Sequence, residues 1–243
     1  MKEYGLIGKT LKHSFSKSFF SDLFEQQNIE ATYNNFELAT KDEIKPLLEK
    51  SLAGLSVTIP YKEVIIDFLD SLSPEAKAIG AVNCVEFKNG KTIGHNTDAY
   101  GFHQSIKPFL TNKHERAIIL GTGGASKAIF YVLKNIGIDS IFISRNPKGE
   151  NQFSYNDINE HMLNACKLIV NCTPLGMFPN EEESIHLPFE ILTSDHLVID
   201  LIYNPKKTLL LVKSEQAGAQ ILNGETMLKQ QALKAWKIWN QAD

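Results

Sequence analysis

Cysteine is scarce. Three occur in 243 residues, Cys84, Cys166 and Cys172, scattered and odd in number. No CxxC pair is present, so neither a structural metal nor a redox disulfide is suggested. The pattern predicts a reduced, cytoplasmic compartment. Long apolar runs are lacking too. None approaches the roughly 18 residues of a membrane span. The start, MKEYGLIGKT, has no apolar h-region, which predicts no signal peptide. Charge of one sign is not in excess: 25 Lys+Arg stand against 28 Asp+Glu, a formal net charge of −3. With no Lys/Arg run, that argues against nucleic-acid or membrane-surface partners. No internal repeat or low-complexity segment appears. What is there is an ordinary globular balance, 43% hydrophobic and 22% charged, long enough for one large domain or two modest ones.

Periodicity supplies the organisation. EYGLIG reads as a strand closed by Gly8. SKSFFSDLFEQQ places Phe19, Phe20, Leu23 and Phe24 at helical spacing. ATYNNFEL alternates as a strand, KDEIKPLLEKS reads as a helix, LAGLSVTIP as a buried strand and YKEVIIDFLDSL as a second amphipathic helix. GAVNCVEFKNGKTIGHNTD reads as a hairpin turning at Asn89-Gly90. Alternation of this kind predicts a layered α/β unit up to Asp98. From Arg116 the rhythm changes. RAIILG, SIFISR, KLIVNCT, HLVIDLI and AQILN are strands with few polar breaks, as a parallel sheet covered on both faces requires. GGASKAIFYVLKNIG is a helix ended by Gly137, and ETMLKQQALKAWKIWNQ a final helix whose Trp236 and Trp239 read as packing residues.

Two short stretches carry chemistry. In LGTGGASKA a glycine turn follows a strand and opens a helix, the context a dinucleotide fingerprint requires. Gly121 permits the tight turn, and Gly123 lets the backbone approach a pyrophosphate at the helix N-terminus. Ser126 replaces the third glycine, whose task is close helix–strand packing. The alternative is a purely structural glycine turn. The next strand ends in Ser144-Arg145-Asn146, with Lys148 close by. NAD sites place an acid there for the ribose hydroxyls. An arginine suits a 2′-phosphate, so the prediction is NADP. The second stretch, SVTIPYKE, sets Lys62 two residues past Pro60, at the mouth of a strand. Alone, Lys62 reads as a solvated cation, since most lysines are exposed.

Motifs in a fixed order connect the two. HSFSKS, SVTIPYK, GAVN, GHNTDAYGF, GTGGASKA, NCTPLGM, DLIYNP and NGETMLKQQAL run the length of the chain. The ordered set resembles the shikimate dehydrogenase family (shikimate/quinate dehydrogenases) from end to end. The resemblance implies reversible NADPH-dependent reduction of 3-dehydroshikimate to shikimate, on the route to chorismate and the aromatic amino acids. It implies an N-terminal α/β substrate domain, a C-terminal Rossmann-like NADP-binding domain with a parallel sheet, and an active site in the interdomain cleft. The break falls near Asp98–Gly101. Residues 1–99 form the first domain, with the helix at 225–243 returning to it, and residues 100–224 form the second.

By that resemblance Ser14 and Ser16 bind the substrate carboxylate, and Thr58, Lys62, Asn83, Asp98, Tyr203 and Gln231 complete the substrate site. Gly121, Thr122, Gly123, Gly124 and Ala125 match the cofactor cradle, Ser144, Arg145 and Asn146 the adenosine end, and Leu201 and Gly224 positions flanking the nicotinamide. The family's usual N-R-T is S-R-N here, and Gly149 stands where a second arginine is common, which implies weaker NADP selectivity. No metal is implied, and the assembly is a monomer or homodimer. Candidate proton donors are Lys62, Tyr203, His13 and His95. Lys62 is preferred, with Asp98 as its partner, because an ammonium both stabilises a developing alkoxide and supplies the proton. Competing readings stand beside these. Ser14 and Ser16 precede a helix and can cap it. Asn83 and Asn96 suit turn chemistry. Tyr203 can be a strand-end aromatic, and Gln231 an exposed helix residue. An NAD-dependent quinate/shikimate dehydrogenase and an NADP-sensing regulatory module are the rival functions.

Overall fold

A computed structural model describes residues 1–12 and 14–240. The chain divides into two compact units, Met1–Gly101 with the residues from Leu228 onward, and Phe102–Met227.

The first unit is built on β1 (Lys2–Gly8), followed by α1 (Phe15–Gln26), β2 (Ala31–Glu37), α2 (Ile44–Leu48), β3 (Gly54–Val57), α3 (Tyr61–Val64), β4 (Ser71–Leu72), α4 (Pro74–Ile79), β5 (Cys84–Lys88), β6 (Lys91–His95) and the start of α5 (Asp98–Ile106). Its sheet has the order β2-β1-β3-β5-β6-β4. β1 pairs in parallel with β2 and β3, while β5 is antiparallel to β3 and β6. The β5–β6 turn is Asn89-Gly90, with φ of 52° and 73°. Two positive φ values are what a two-residue hairpin of this hand needs. Side chains alternate across the pleat. Ile7, Leu55, Val57 and Val85 face one apolar cluster with Tyr61 and Ile65. Tyr4, Leu6 and Cys84 face the other, with Phe20, Phe24 and Trp239.

YKEVIIDFLDSL departs from the single helix its spacing predicts. α3 stops at Val64, a 3-10 turn covers Ile65–Phe68, and Ser71–Leu72 joins the sheet as β4. The run Val64-Ile65-Ile66 is β-branched and stiff at χ1, which weakens a helix. Asp70 then binds the next strand: its Oδ2 accepts from Thr92 N at 2.7 Å and Thr92 Oγ1 at 2.8 Å. α4 is an element the periodicity does not show, although its signals are in the sequence. Ser73 caps it, Pro74 opens it, and Gly80 ends it at φ 72°.

The second unit contains β7 (Arg116–Leu120), α6 (Gly124–Asn135), β8 (Asp139–Ile143), the two-residue β9 (Gln152–Phe153), α7 (Glu160–Ala165), β10 (Leu168–Asn171), β11 (Leu197–Asp200), α8 (Leu209–Gln216), β12 (Gln220–Leu222) and the start of α9 (Glu225–Trp239). All six strands are parallel, in the order β12-β11-β10-β7-β8-β9. Ala117–Leu120 and Leu168–Val170 are buried on both faces, which explains their unbroken apolar runs. The chain leaves β7 toward β8 and returns to β10 on the other side. That reversal is where open parallel sheets bind ligands, outside the carboxyl ends of the strands.

Candidate active site

Lys62 owes its position to a chain of backbone bonds. Thr58 N donates to Ile7 O at 2.9 Å, and Tyr61 N to Thr58 O at 2.9 Å, so the chain turns sharply out of β3 into α3. Tyr61 anchors that turn from below, its buried hydroxyl donating to Leu38 O at 2.7 Å. Lys62 Nζ then meets Asp98 Oδ2 at 2.6 Å, with side-chain exposures of 16% and 2%. A lysine so placed is not a solvated surface cation. Asp98 opens α5, where the helix dipole favours a negative charge. Asn96 steadies this end, accepting from Ala99 N at 3.2 Å and donating to Ala81 O at 2.9 Å, so the turn-chemistry reading holds for it.

Behind the pair lies Asn83, 5% exposed. Its Oδ1 accepts from Thr97 N at 2.6 Å. A backbone N–H can only donate, so this contact sets which end of the amide faces where. The NH2 group therefore turns toward Asp98 Oδ1 at 2.9 Å, Gln231 Oε1 at 2.9 Å and Thr97 Oγ1 at 3.0 Å. Four of the substrate residues named from the sequence, Lys62, Asn83, Asp98 and Gln231, thus form one connected cluster. Thr97, inside GHNTDAYGF, contributes as well, although its motif did not single it out.

The other candidates in this unit stand apart from that cluster in their bonding. Ser14 caps α1, accepting from Lys17 N at 3.2 Å, and keeps its own O–H to donate. Ser16 lies within hydrogen-bonding reach of Tyr33, whose phenol is pushed far up by burial. Tyr33 OH in turn donates to Ser56 Oγ at 2.8 Å. Ser14, Ser16 and Thr58 are all half-buried. His95 is engaged by Glu86, Nε2 to Oε2 at 2.9 Å. His13 lies outside the described residues.

In the second unit, Gly121 has φ 101°, a conformation few other residues adopt, and its N donates to Ile143 O at 2.8 Å. Gly123 is the N-cap of α6, and no side chain caps that helix. A Cβ at Gly123 would meet nothing within 4 Å, so the approach to the first-turn amides is open. Thr122 is exposed, Gly124 and Ala125 half-buried, and Ser126 is buried against the sheet with its Oγ unpartnered among the described residues. Arg145, at the end of β8, is exposed and makes no ion pair among the described residues, while Ser144 Oγ accepts from Asn146 N at 3.3 Å. Leu201 and Gly224 touch: a side chain at 224 would run into the Leu201 carbonyl. Tyr203 follows in the same segment, half-buried. Open amides on a helix N-terminus, with a free guanidinium at the second strand, fit a phosphorylated dinucleotide.

A parallel sheet with its reversal point beside such a turn, and a unit pairing a half-buried amine with a buried carboxylate, define the class of dinucleotide-dependent oxidoreductases. Comparison with known proteins makes the class specific. Residues 6–85 match the profile of the shikimate dehydrogenase substrate binding domain. A shikimate dehydrogenase (NADP(+)) of Aquifex aeolicus is 38% identical over 98% of this chain and 90% of its own length. The chain belongs to the shikimate dehydrogenase family. Among solved structures, the Thermus thermophilus shikimate 5-dehydrogenase in complex with NADP(H) and shikimate superposes with a TM-score of 0.85, at 28% identity, covering 99% of this chain and 94% of that one. Quinate dehydrogenase of Corynebacterium glutamicum in complex with NAD superposes with a TM-score of 0.88, at 28% identity, covering 98% and 93%.

Proposed function

We propose that this protein catalyses the reversible NADPH-dependent reduction of 3-dehydroshikimate to shikimate, on the route to chorismate and the aromatic amino acids. The observation that carries the reading is the 2.6 Å contact between Lys62 Nζ and Asp98 Oδ2, nearly closed to solvent and tied to Asn83 and Gln231. Gly121–Ala125 would hold NADPH, Arg145 would meet its 2′-phosphate and Leu201 and Gly224 its nicotinamide end, and the cofactor would supply the hydride. The Lys62 ammonium donates its proton to the carbonyl oxygen as negative charge grows there, and takes it back in the reverse direction. Asp98 holds the amine in place. Ser14, Ser16 and Thr58 donate hydroxyl hydrogens to the substrate carboxylate, while Asn83, Asp98, Gln231 and Tyr203 bind ring hydroxyls. A site built this way rejects analogues that lack a hydroxyl, because its own polar groups are left unpaired.

The test is direct: purified protein with shikimate and NADP, followed at the nicotinamide absorbance. Turnover is expected. Tight NADP binding without turnover would point to a sensing module instead. The likeness to a quinate dehydrogenase that binds NAD favours one second reading, an NAD-dependent quinate/shikimate enzyme. Arg145 and the missing acid at the end of β8 weigh against it, and rates with NADP versus NAD and shikimate versus quinate decide. We place the reaction in the cytoplasm because no disulfide joins Cys84, Cys166 or Cys172 among the described residues. No helix among the described residues is long and apolar enough to cross a membrane.

A further inference from the structure

Asp200 is fully buried, and none of the steps above uses it. It closes β11, and its carboxylate takes three hydrogen bonds. Oδ1 accepts from Asn171 Nδ2 at 3.0 Å and from Ile202 N at 3.0 Å; Oδ2 accepts from Thr208 Oγ1 at 2.7 Å. Each donor leads to a different segment. Asn171 closes β10, and its Oδ1 accepts from Thr173 N at 2.9 Å and Thr173 Oγ1 at 2.7 Å. The Thr173 methyl lies 3.1 Å from where a Cβ on Gly121 would be, against the glycine turn. Ile202 sits in the segment after β11, where Leu201 N donates to Asn171 O at 3.0 Å and Gly224 N to Ile202 O at 3.0 Å. Thr208 caps α8. One carboxylate therefore joins the turn beside the cradle, the segment 201–203 and the start of a helix.

All these groups stand at the carboxyl ends of the strands. The glycine turn and Arg145 belong to β7 and β8, on one side of the reversal point. The other half of a dinucleotide then falls over the ends of β10 and β11. We propose that Asp200 is a positioning residue for the nicotinamide half of the cofactor, holding residues 201–203 in the place that half requires. The inference rests on the NADP reading above. A carboxylate suits the post because it accepts from all three donors at once. An asparagine matches it only if the Thr208 hydroxyl turns round to accept.

The experiment measures binding of NADP and of 2′,5′-ADP, which lacks the nicotinamide half, by calorimetry on the whole protein. Wild type, Asp200→Asn and Asp200→Ala are compared. Asp200→Ala is expected to weaken NADP about 10-fold or more while 2′,5′-ADP binds as to wild type, and Asp200→Asn to recover most of the NADP affinity. Thr208→Val removes a single donor and is expected to show the same split; it serves if Asp200→Ala does not fold. Equal loss of both ligands, or of neither, overturns the inference and leaves Asp200 a packing residue. Failure of wild type to bind either ligand is a different result, and overturns the NADP reading together with the inference.

Discussion

At the scale of single residues, partners decide what a side chain does. Lys62 looks like a surface cation in its own stretch because its sequence neighbours say nothing about Asp98, 36 positions away. The ordered motifs suggest the pairing, and the 2.6 Å contact supplies its geometry. Thr97 stayed invisible because its shortest contact with the Asn83 amide, at 2.6 Å, comes from a backbone N–H that any residue but proline carries. Asp98→Asn removes the partner of a largely buried amine and disturbs Asn83 as well. A fall in kcat/KM on the order of 100-fold is expected, shared between kcat and KM, in steady-state assays with shikimate. Asp200 gives a pH signature. Burial pushes its carboxyl up from 3.8 to about 6 against its three donors. Between those values the folded chain binds the extra proton, so this group's contribution is present at low pH and lost as pH rises through about 6. Urea unfolding from about pH 4 to about 7.5 is expected to show wild type losing up to about 3 kcal/mol relative to Asp200→Asn across that window. A constant difference between the two would contradict it.

At the scale of elements, legibility followed how local the cause was. The Asn89-Gly90 hairpin and the glycine end of α6 are written in two or three adjacent residues, and both are where the spacing placed them. β4 was not legible, because Asp70 is drawn to Thr92 across a strand pairing no window of sequence contains. α4 carries its signals in Ser73, Pro74 and Gly80, yet it went unread because its single apolar turn is too short to show periodicity. α9 shows why the last helix carries two tryptophans. Trp239 packs on Gly54 so closely that no side chain fits at 54, and its Nε1 donates to Val85 O at 3.0 Å. Trp239→Ala is expected to cost ~3–5 kcal/mol in denaturant unfolding, the usual toll of emptying an aromatic core site. An unchanged unfolding midpoint would show that α9 is not held by this ring.

At the scale of the whole molecule, the chain divides into two α/β units. The parallel unit was the easier to read, since a strand covered on both faces shows as an uninterrupted apolar run. The first unit mixes parallel and antiparallel pairs, and its strand order could not be had from alternation alone. Cofactor choice also belongs to this scale, because it sets which pool of reducing equivalents the protein draws on. Arg145→Ala is expected to raise KM for NADP about 10- to 100-fold and leave KM for NAD nearly unchanged; equal effects on both would remove Arg145 from 2′-phosphate recognition. Proton transfer by the half-buried Lys62 stands at the centre. It is tested most directly by kcat and KM for shikimate oxidation by Lys62→Ala at saturating NADP. kcat is expected to fall about 10²–10⁴-fold with KM little changed. A kcat close to wild type would contradict it.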